Sequence, residues 1–345
     1  MAKIALVSPF TLPSLCGNSI LTERIRAGLR LRGLDVRVFN ASTDDPQTAV
    51  AFAPDLIHSI HTLRPAKWLD RFFSACDAPL CITLTGTDYN NLEDPHASHE
   101  IIRQYWHKAA ALIVFHQHAY NQITARAPLT AAKLRVIPQG IETPSGLPDR
   151  ASIRNKFNLP QEACIVFMAA GIRPVKNIRL ALSAFKQLKN KHADIHLVHA
   201  GTDLDPEETK HIYAAGGNLR SFHTLGPRKH AETMQLMTAA DIFLNTSLQE
   251  GMSGAILEAM AAGLPVIATD IPGNTTLVKN RHNGLLVSTN NPQELAAAVI
   301  ALAGNPEQRT AYGATGQKIA RTKFDPKQEI GRYEEIYLTI LNSKL

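Results

Sequence analysis

Two glutamates, Glu250 and Glu258, have seven residues between them, including a glycine-rich turn. The turn follows an apolar segment, residues 242–245, and precedes a helical pattern that begins near Ser253. Glycines let a backbone approach a ligand closely, and the amides and positive dipole end of a helix start suit a phosphate. Glu258, one turn into the helix, can accept hydrogen bonds from the vicinal hydroxyls of a ribose. Glu250 lies at the carboxyl end of the predicted strand, where open α/β sheets bind their ligands. The predicted phosphate-binding residues are Gly251, Met252, Ser253 and Gly254.

A second cluster, Gly171-Ile-Arg-Pro-Val-Lys-Asn, follows another apolar segment, residues 164–169. Gly171 ends that segment tightly, Arg173 offers a planar fork of donors, and Lys176 adds a compact positive charge. The two cations can neutralise a pyrophosphate, and they stabilise it more strongly as it leaves and gains negative charge. The alternative is a solvated basic turn before a helix. We interpret the cluster as a diphosphate clamp made by Arg173 and Lys176.

Short apolar segments alternate with longer helical patterns along the chain, which predicts a doubly wound α/β fold. Their near-continuous apolar character is typical of parallel strands that are covered on both faces. A stretch rich in Pro and Gly, residues 138–162, separates two such halves, and we interpret it as a linker followed by a short lead-in helix. We predict Rossmann-like domains over residues 1–145 and 146–325 and a helix over 326–345 that returns to the first domain. The predicted strands are residues 4–7, 36–39, 56–60, 80–84, 112–115, 134–137, 164–169, 196–200, 221–225, 242–245, 265–268 and 284–287.

The composition restricts the class of protein and of partner. The chain has 345 residues, of which 45% are hydrophobic and 19% charged, typical of a two-domain soluble protein. It contains no run of about 20 apolar residues and no signal-peptide pattern, and its four cysteines are scattered, so we expect free thiols and a cytoplasmic location. The net charge of +6 favours anionic partners such as nucleotides, phosphorylated acceptors or an acidic membrane surface. No pattern in the sequence is typical of nucleic-acid binding.

With Ala259-Met-Ala-Ala-Gly-Leu-Pro-Val after them, Glu250 and Glu258 resemble the E-x7-E signature of family 4 glycosyltransferases (glycosyl transferases group 1), retaining enzymes of the GT-B fold. Glu250-Gly-Met-Ser, Ile271-Pro-Gly-Asn and the Gly171 cluster most resemble the branch of glycosyltransferase 1 domain-containing proteins. The resemblance is strong in the second half and weak in the first. It implies two Rossmann-like domains that face a cleft, with the acceptor in the first domain and the nucleotide in the second. It also implies that Glu250 faces the donor sugar and Glu258 the ribose.

The resemblance implies further contacts from the first half. In the family, a glycine-containing loop after the first strand approaches the donor, and Gly17 with Asn18 occupies that position here. The loop is not a G-x-G-x-x-G fingerprint, which argues against NAD or FAD. Many relatives have a histidine where this chain has Thr85, so no histidine role carries over to that position. Asp88 and Thr87 are candidate contacts for the acceptor or the sugar, and the alternative for Asp88 is that it caps a helix.

No metal site is predicted. Asp203-Leu-Asp205 matches the D-x-D pattern of metal-dependent transferases, but it follows Gly201 and precedes Pro206, which indicates a helix lead-in. His58 and His61 lack a third ligand nearby in the sequence. The predicted catalytic residues are Glu250, Arg173, Lys176 and Asp88.

Together with the motifs, the resemblance implies a retaining, metal-independent hexosyl- or N-acetylhexosaminyltransferase that needs no cofactor and uses a nucleotide-diphosphate donor linked to UDP. The resemblance implies front-face attack, with the leaving phosphate accepting the acceptor's proton. The acceptor is a small molecule, a glycan or a lipid, with peripheral membrane contact and oligomeric state left open. One alternative is a catalytically silent protein that binds sugar nucleotides, which Thr85 favours. Another is a different GT-B enzyme, such as a sugar-nucleotide epimerase or a phosphorylase.

Overall fold

The computed structural model describes residues 1–12, 17–90, 99–188, 194–217 and 219–343. The chain forms two compact units. Unit 1 comprises Met1–Gly140 together with Phe324–Leu345, and unit 2 comprises Ile141–Lys323. Unit 1 is therefore built from two separate stretches of sequence.

Unit 1 contains a parallel sheet of six strands in the order β2-β1-β3-β4-β5-β6. The sheet changes direction between β1 and β3, which makes this unit doubly wound in the flavodoxin-like order. Its strands are β1 (Lys3–Ser8), β2 (Asp35–Asn40), β3 (Leu56–Ile60), β4 (Leu80–Thr83), β5 (Ala111–Val114) and β6 (Leu134–Val136). Between them lie α1 (Gly17–Leu31), α2 (Pro46–Phe52), α3 (Ala66–Phe73), α4 (His99–Lys108) and α5 (Gln117–Arg126).

Unit 2 contains a second parallel sheet of six strands, in the order β12-β11-β10-β7-β8-β9. This is the classical Rossmann order, and its direction changes between β7 and β10. The strands are β7 (Cys164–Ala169), β8 (Ile195–Ala200), β9 (Phe222–Thr224), β10 (Ile242–Asn245), β11 (Val266–Thr269) and β12 (Gly284–Val287). The helices are α6 (Arg150–Lys156), α7 (Ile178–Leu188), α8 (Pro206–Gly216), α9 (His230–Ala239), α10 (Gly254–Ala261), α11 (Pro272–Thr275), α12 (Pro292–Ala303) and α13 (Pro306–Lys323).

The predicted α/β class with two doubly wound domains is confirmed, and each predicted apolar segment forms a strand. The central strands are apolar because helices cover both faces of each sheet. In β10, for example, Ile242, Phe243 and Leu244 are all buried, and the ring of Phe243 packs edge-on against that of Phe167 in β7. None of the helices in the described residues combines the length and apolar character that a membrane span requires.

The final helix, α14 (Pro326–Asn342), belongs to unit 1 and is attached there by both packing and polar contacts. Gly28 of α1 leaves room for Ile330, since a Cβ at Gly28 would lie 2.4 Å from Cγ1 of Ile330. Arg24 forms an ion pair of 2.7 Å with Glu329, whose side chain is only 1% exposed. Such a buried carboxylate requires a charged partner, so the pair fixes the helix to α1.

A buried histidine joins α14 to the sheet of unit 1. Nδ1 of His58 lies 2.6 Å from the hydroxyl of Tyr337, and its Nε2 lies 2.8 Å from the hydroxyl of Thr83. Burial lowers the pKa of His58 from 6.5 to about 3. Both ring nitrogens therefore form hydrogen bonds while the ring stays neutral at physiological pH.

His58 should make the protein sensitive to acid. An unfolded histidine keeps its usual pKa, so the unfolded state binds one proton more than the folded state from about pH 6.5 down to about pH 3. The free energy of unfolding contributed by this group should fall by about 1.4 kcal/mol per pH unit as the pH drops through that window. We expect His58→Gln to be less stable at pH 7 but to lose stability less steeply, as measured by urea unfolding between pH 6.5 and 4.5.

The matched control is His282→Gln, which removes an exposed histidine. It should keep the wild-type pH dependence. If His58→Gln shows the same slope as the wild type, the neutral buried state of His58 is wrong.

Candidate functional site

The strand order of unit 2 brings two sequence motifs together. β7 and β10 are neighbours, with Val166 paired to Ile242 and Phe167 to Phe243. The chain continues from β7 toward one side of the sheet and from β10 toward the other, and in open α/β sheets such a change of direction forms a crevice at the carboxyl edge. Ligands of open α/β sheets bind at this switch point. The Arg173 and Lys176 motif follows β7, and the Glu250 motif follows β10.

The two motifs meet in an ion pair. Nζ of Lys176 lies 2.6 Å from Oε1 of Glu250, and their side chains are only 19% and 13% exposed. The Ser247 hydroxyl donates to the same carboxylate oxygen at 2.7 Å. Backbone contacts join the loops as well, since the amide of Leu248 donates to the carbonyl of Val175 at 2.8 Å. The predicted residues Lys176 and Glu250 therefore belong to one site.

The surroundings of Glu250 keep it ionised. Burial by itself would raise its pKa, but Lys176, the hydroxyl of Ser247 and the charge of Arg173 together lower it below its usual value. A carboxylate that stays charged can accept hydrogen bonds or stabilise positive charge, but it does not donate a proton at neutral pH. Glu250 can therefore accept hydrogen bonds from a ligand.

Arg173 is half-buried beside this pair. Its Nε atom is buried and has no hydrogen-bond partner among the residues that the structure describes. A buried donor without a partner is costly, and an anionic ligand in the crevice would remove that cost. Arg173 therefore has a donor available for a ligand.

The helix after Glu250 begins where the sequence indicates. Ser253 is the N-cap of α10, and its Oγ accepts hydrogen bonds from the amide of Ile256 at 3.4 Å and from Nδ2 of Asn245 at 3.1 Å. Gly251 and Met252 are buried in the turn, and Gly254 is the first residue of the helix. The first amides of a helix have no partner within it, so this end of α10 can receive an anion.

Glu258 lies in α10 with its side chain 9% exposed. Its Oε1 is 2.9 Å from Nε2 of His230, the first residue of α9. His230 is not among the site residues predicted from the sequence. Its position in the polar turn Gly-Pro-Arg-Lys-His after β9, at the carboxyl edge of the same sheet, was the signal that could have found it.

Gly273 and Asn274 support the loop that carries Glu250. A Cβ on Gly273 would lie 2.5 Å from the carbonyl oxygen of Glu250 and 2.7 Å from its Cβ, so only glycine fits there. Asn274 is fully buried and donates to Oδ1 of Asn245 at 3.2 Å and to the carbonyl of Thr269 at 3.1 Å. The segment Ile271-Pro-Gly-Asn, noted in the sequence only as a resemblance, is therefore packed directly against the site.

The remaining predicted residues of unit 2 have structural contacts. Gly171 packs against Leu204, since a Cβ there would lie 2.6 Å from Cδ1 of Leu204. Asp205 caps α8 by accepting the amide of Glu208 at 2.9 Å, which confirms the helix lead-in interpretation of the D-x-D pattern. In the described part of the chain, no group of three or more His, Cys, Asp or Glu side chains could hold a metal ion.

Three predicted residues belong to unit 1. Gly17 and Asn18 begin α1, while residues 14–16 of the same motif lie outside the described ranges. Asp88 is fully buried, and its carboxylate accepts amides of Thr85 at 2.9 Å and Thr62 at 3.2 Å. No helix of the described residues begins at Asp88, so the structure does not have it as a helix cap. Substrate contacts of Gly17, Asn18 and Asp88 stay predictions.

Residues 149–319, most of unit 2, match the family described as glycosyl transferases group 1. The chain is 26% identical over 277 residues to glycosyltransferase 1 domain-containing protein 1 of Xenopus tropicalis, which covers 78% of this chain and 79% of that protein. It is 28% identical over 177 residues to D-inositol 3-phosphate glycosyltransferase of Acidothermus cellulolyticus, which covers 48% of this chain and only 40% of that protein.

Several solved structures resemble nearly the whole chain, among them the following two. Sucrose-phosphate synthase of Thermosynechococcus elongatus superposes with a TM-score of 0.85 at 17% identity, covering 99% of this chain and all of that one (100%). Anabaena HepE in complex with UDP and glucose gives a TM-score of 0.82 at 20% identity, covering 98% and 100%. At this level of identity the likeness concerns the fold, and it confirms the predicted GT-B fold.

We expect Gly273→Ala to destabilise unit 2, because the new Cβ would overlap the backbone of Glu250. Overpacking of this kind costs about 1–3 kcal/mol. The free energy of unfolding in urea should fall by that amount. The control is Gly304→Ala at the end of α12, where the nearest atom to a Cβ is the carbonyl oxygen of Ile300 at 3.4 Å. If both variants are as stable as the wild type, Gly273 is not required for this packing.

Proposed function

We propose that this chain, whose residues 149–319 place it in the glycosyl transferases group 1 family, moves a hexosyl or N-acetylhexosaminyl group from a UDP-linked donor to an acceptor hydroxyl. We further propose that the transfer retains the anomeric configuration and requires no metal ion. Transfer of a sugar from a nucleotide donor follows from the family and from the relatives. The proposals on the sugar, on UDP, on retention and on metal independence rest on the arrangement of residues at the carboxyl edge of β7 and β10.

The observation that carries the proposal is the pair of cations beside the start of α10. Lys176 contacts Glu250, and the buried Nε of Arg173 has no partner in the described part of the chain. A diphosphate needs its negative charge neutralised, most of all as it leaves. Two cations and a helix start can do this without a metal. The presence of UDP in the similar HepE structure supports uridine as the base.

We propose the following division of work between the glutamates. Glu258, within α10, accepts the ribose hydroxyls, while Glu250, at the strand end, accepts hydroxyls of the transferred sugar near the reacting carbon. The lowered pKa of Glu250 supports a charged acceptor there. Because Lys176 already neutralises Glu250, the arriving diphosphate would share the lysine rather than meet an unpaired carboxylate.

The proposed reaction breaks the bond between the anomeric carbon and the phosphate oxygen, and the electron pair leaves with the diphosphate. The acceptor oxygen forms its bond to the same carbon on the same face. The acceptor's proton passes to the leaving phosphate oxygen. Arg173 and Lys176 stabilise the departing charge, so no protein nucleophile is required.

The acceptor is a small molecule, a glycan or a lipid. The net charge of +6 and the name of the D-inositol 3-phosphate glycosyltransferase relative support testing phosphorylated polyols first. We propose a cytoplasmic location, which is supported by the free thiols of Cys81 and Cys164.

Arg173→Ala should weaken binding of UDP by about 1.5–3 kcal/mol, the range for hydrogen bonds to charged groups. Titration calorimetry in EDTA measures this, because the clamp, rather than a metal, should hold the diphosphate. Arg173 is the cleaner target, since Lys176→Ala would also leave Glu250 without its cation and lower the stability. Lys186→Ala, an exposed lysine of α7, is the matched control and should bind UDP normally.

If Arg173→Ala binds UDP with the same affinity as the wild type, the assignment of Arg173 to a diphosphate clamp is wrong. Sugar transfer by the wild type should persist in EDTA. If transfer stops in EDTA and returns with Mn²⁺ or Mg²⁺, the proposal of metal independence is wrong.

Conservative changes test the two glutamates, because glutamine keeps the shape and removes the charge. Glu258→Gln should weaken UDP binding, since a contact made equally in the ground and transition states affects affinity. Glu250→Gln should bind UDP nearly as the wild type does but turn over more slowly, by about tenfold or more. Calorimetry with UDP and single-turnover transfer kinetics separate the two effects.

The opposite pattern, in which Glu250→Gln loses UDP affinity and Glu258→Gln loses only turnover, would exchange the two roles. If neither variant differs from the wild type, a protein that binds sugar nucleotides without catalysis becomes the better account.

A further inference from the structure

We propose that His230 positions the carboxylate of Glu258 and thereby makes the site selective for a ribose that carries both of its hydroxyls. His230 would act through Glu258 and is a positioning residue. The inference rests on the proposed function, because it requires that Glu258 faces the ribose. It adds a residue from a different helix and a substrate selectivity that follows from it.

The side chains of His230 and Glu258 are in direct contact. Nε2 of His230 lies 2.9 Å from Oε1 of Glu258. Among the described residues, His230 is the one hydrogen-bond partner of this carboxylate. The Glu258 side chain is 9% exposed, whereas that of His230 is 42% exposed. A carboxylate so far removed from water needs a donor, and His230 supplies it from the solvent side.

The position of His230 is fixed by the start of its own helix. Glu232 accepts the amide of Lys229, the residue before α9, at 3.4 Å. Glu232 also pairs with Lys156 of α6 at 3.3 Å. These contacts hold the first turn of α9 to α6, so His230 extends toward α10 from an anchored backbone. The donor that orients Glu258 is thus itself held in place.

The hydrogen bond leaves the carboxylate able to receive a ligand. An ionised carboxylate has about four acceptor positions, and His230 occupies one of them. The bond requires a proton on Nε2 of His230, which both the neutral tautomer and the cation can provide. Holding one oxygen also restricts rotation of the carboxylate. Two vicinal hydroxyls would then meet a prearranged acceptor rather than a freely rotating one, which lowers the entropy lost on binding.

This arrangement predicts which nucleotides lose affinity when His230 is changed. We would compare UDP, 2′-deoxy-UDP and 2′,3′-dideoxy-UDP by calorimetry on the full chain. The wild type should prefer UDP over the dideoxy compound by about tenfold or more. His230→Ala should lose about five- to twentyfold in UDP affinity while its affinity for 2′,3′-dideoxy-UDP stays unchanged. His230→Gln should recover part of the preference, because its side-chain amide also donates a hydrogen bond.

His211→Ala is the matched control, since it removes an exposed histidine of α8. It should bind every nucleotide as the wild type does, and thermal unfolding should show that each variant is folded. If His230→Ala loses the same factor for UDP and the dideoxy compound, His230 acts on the diphosphate or on the fold and the inference is overturned. It is also overturned if His230→Ala binds UDP with wild-type affinity.

The same measurements distinguish this failure from failure of the proposed function. If Glu258→Gln keeps the full preference for UDP over the dideoxy compound, Glu258 does not bind the ribose. The positioning role of His230 is then wrong as well. If Glu258→Gln loses the preference while His230→Ala keeps it, only the role of His230 is wrong.

Discussion

The ion pair between Lys176 and Glu250 is the contact on which the site in unit 2 depends. It joins the loops that follow the two central strands, and each partner is largely removed from water. Charges in such a place persist only when they are paired and hydrogen-bonded, so the surrounding residues are constrained as well. Ser247 must donate to Glu250, and position 273 must remain a glycine so that the Glu250 backbone can lie against α11. The need to keep this ion pair in place therefore restricts the residues of three loops at the carboxyl edge of the sheet.

The apolar strands make this polar edge possible. Their buried side chains fix β7 and β10 side by side, so the two loops at their carboxyl ends follow neighbouring strands at the point where the sheet changes direction. Asn245, the last residue of β10, already belongs to the polar network through Ser253 and Asn274. The transition from core to site therefore takes place within a single strand. Precision at the site follows from the rigidity of the sheet, because the functional side chains begin where regular strand geometry ends.

Much of this architecture could be predicted because strand segments and glycine-rich turns are local patterns. The strands, the start of α10 at Ser253 and the cap at Asp205 all depend on neighbours in the sequence. The pairing of Lys176 with Glu250 could not be predicted, because it depends on which strands are adjacent and on side-chain direction. His230 was missed for the same reason, since its partner Glu258 lies on another helix. Gly273 was missed because position 273 requires a residue without a Cβ only on account of Glu250, which lies against it in the folded structure.

The division of unit 1 into two stretches of sequence bears on how the protein forms during translation. Unit 2 is continuous, so all of its residues are synthesised before α14 emerges. His58, in contrast, finds its partner Tyr337 only 279 residues later. At typical rates of synthesis of about 5–20 residues per second, roughly 15–55 seconds pass between the synthesis of His58 and that of Tyr337. The part of the chain made first is therefore the last to be finished, and until then the surface that α14 later covers is open to chaperones.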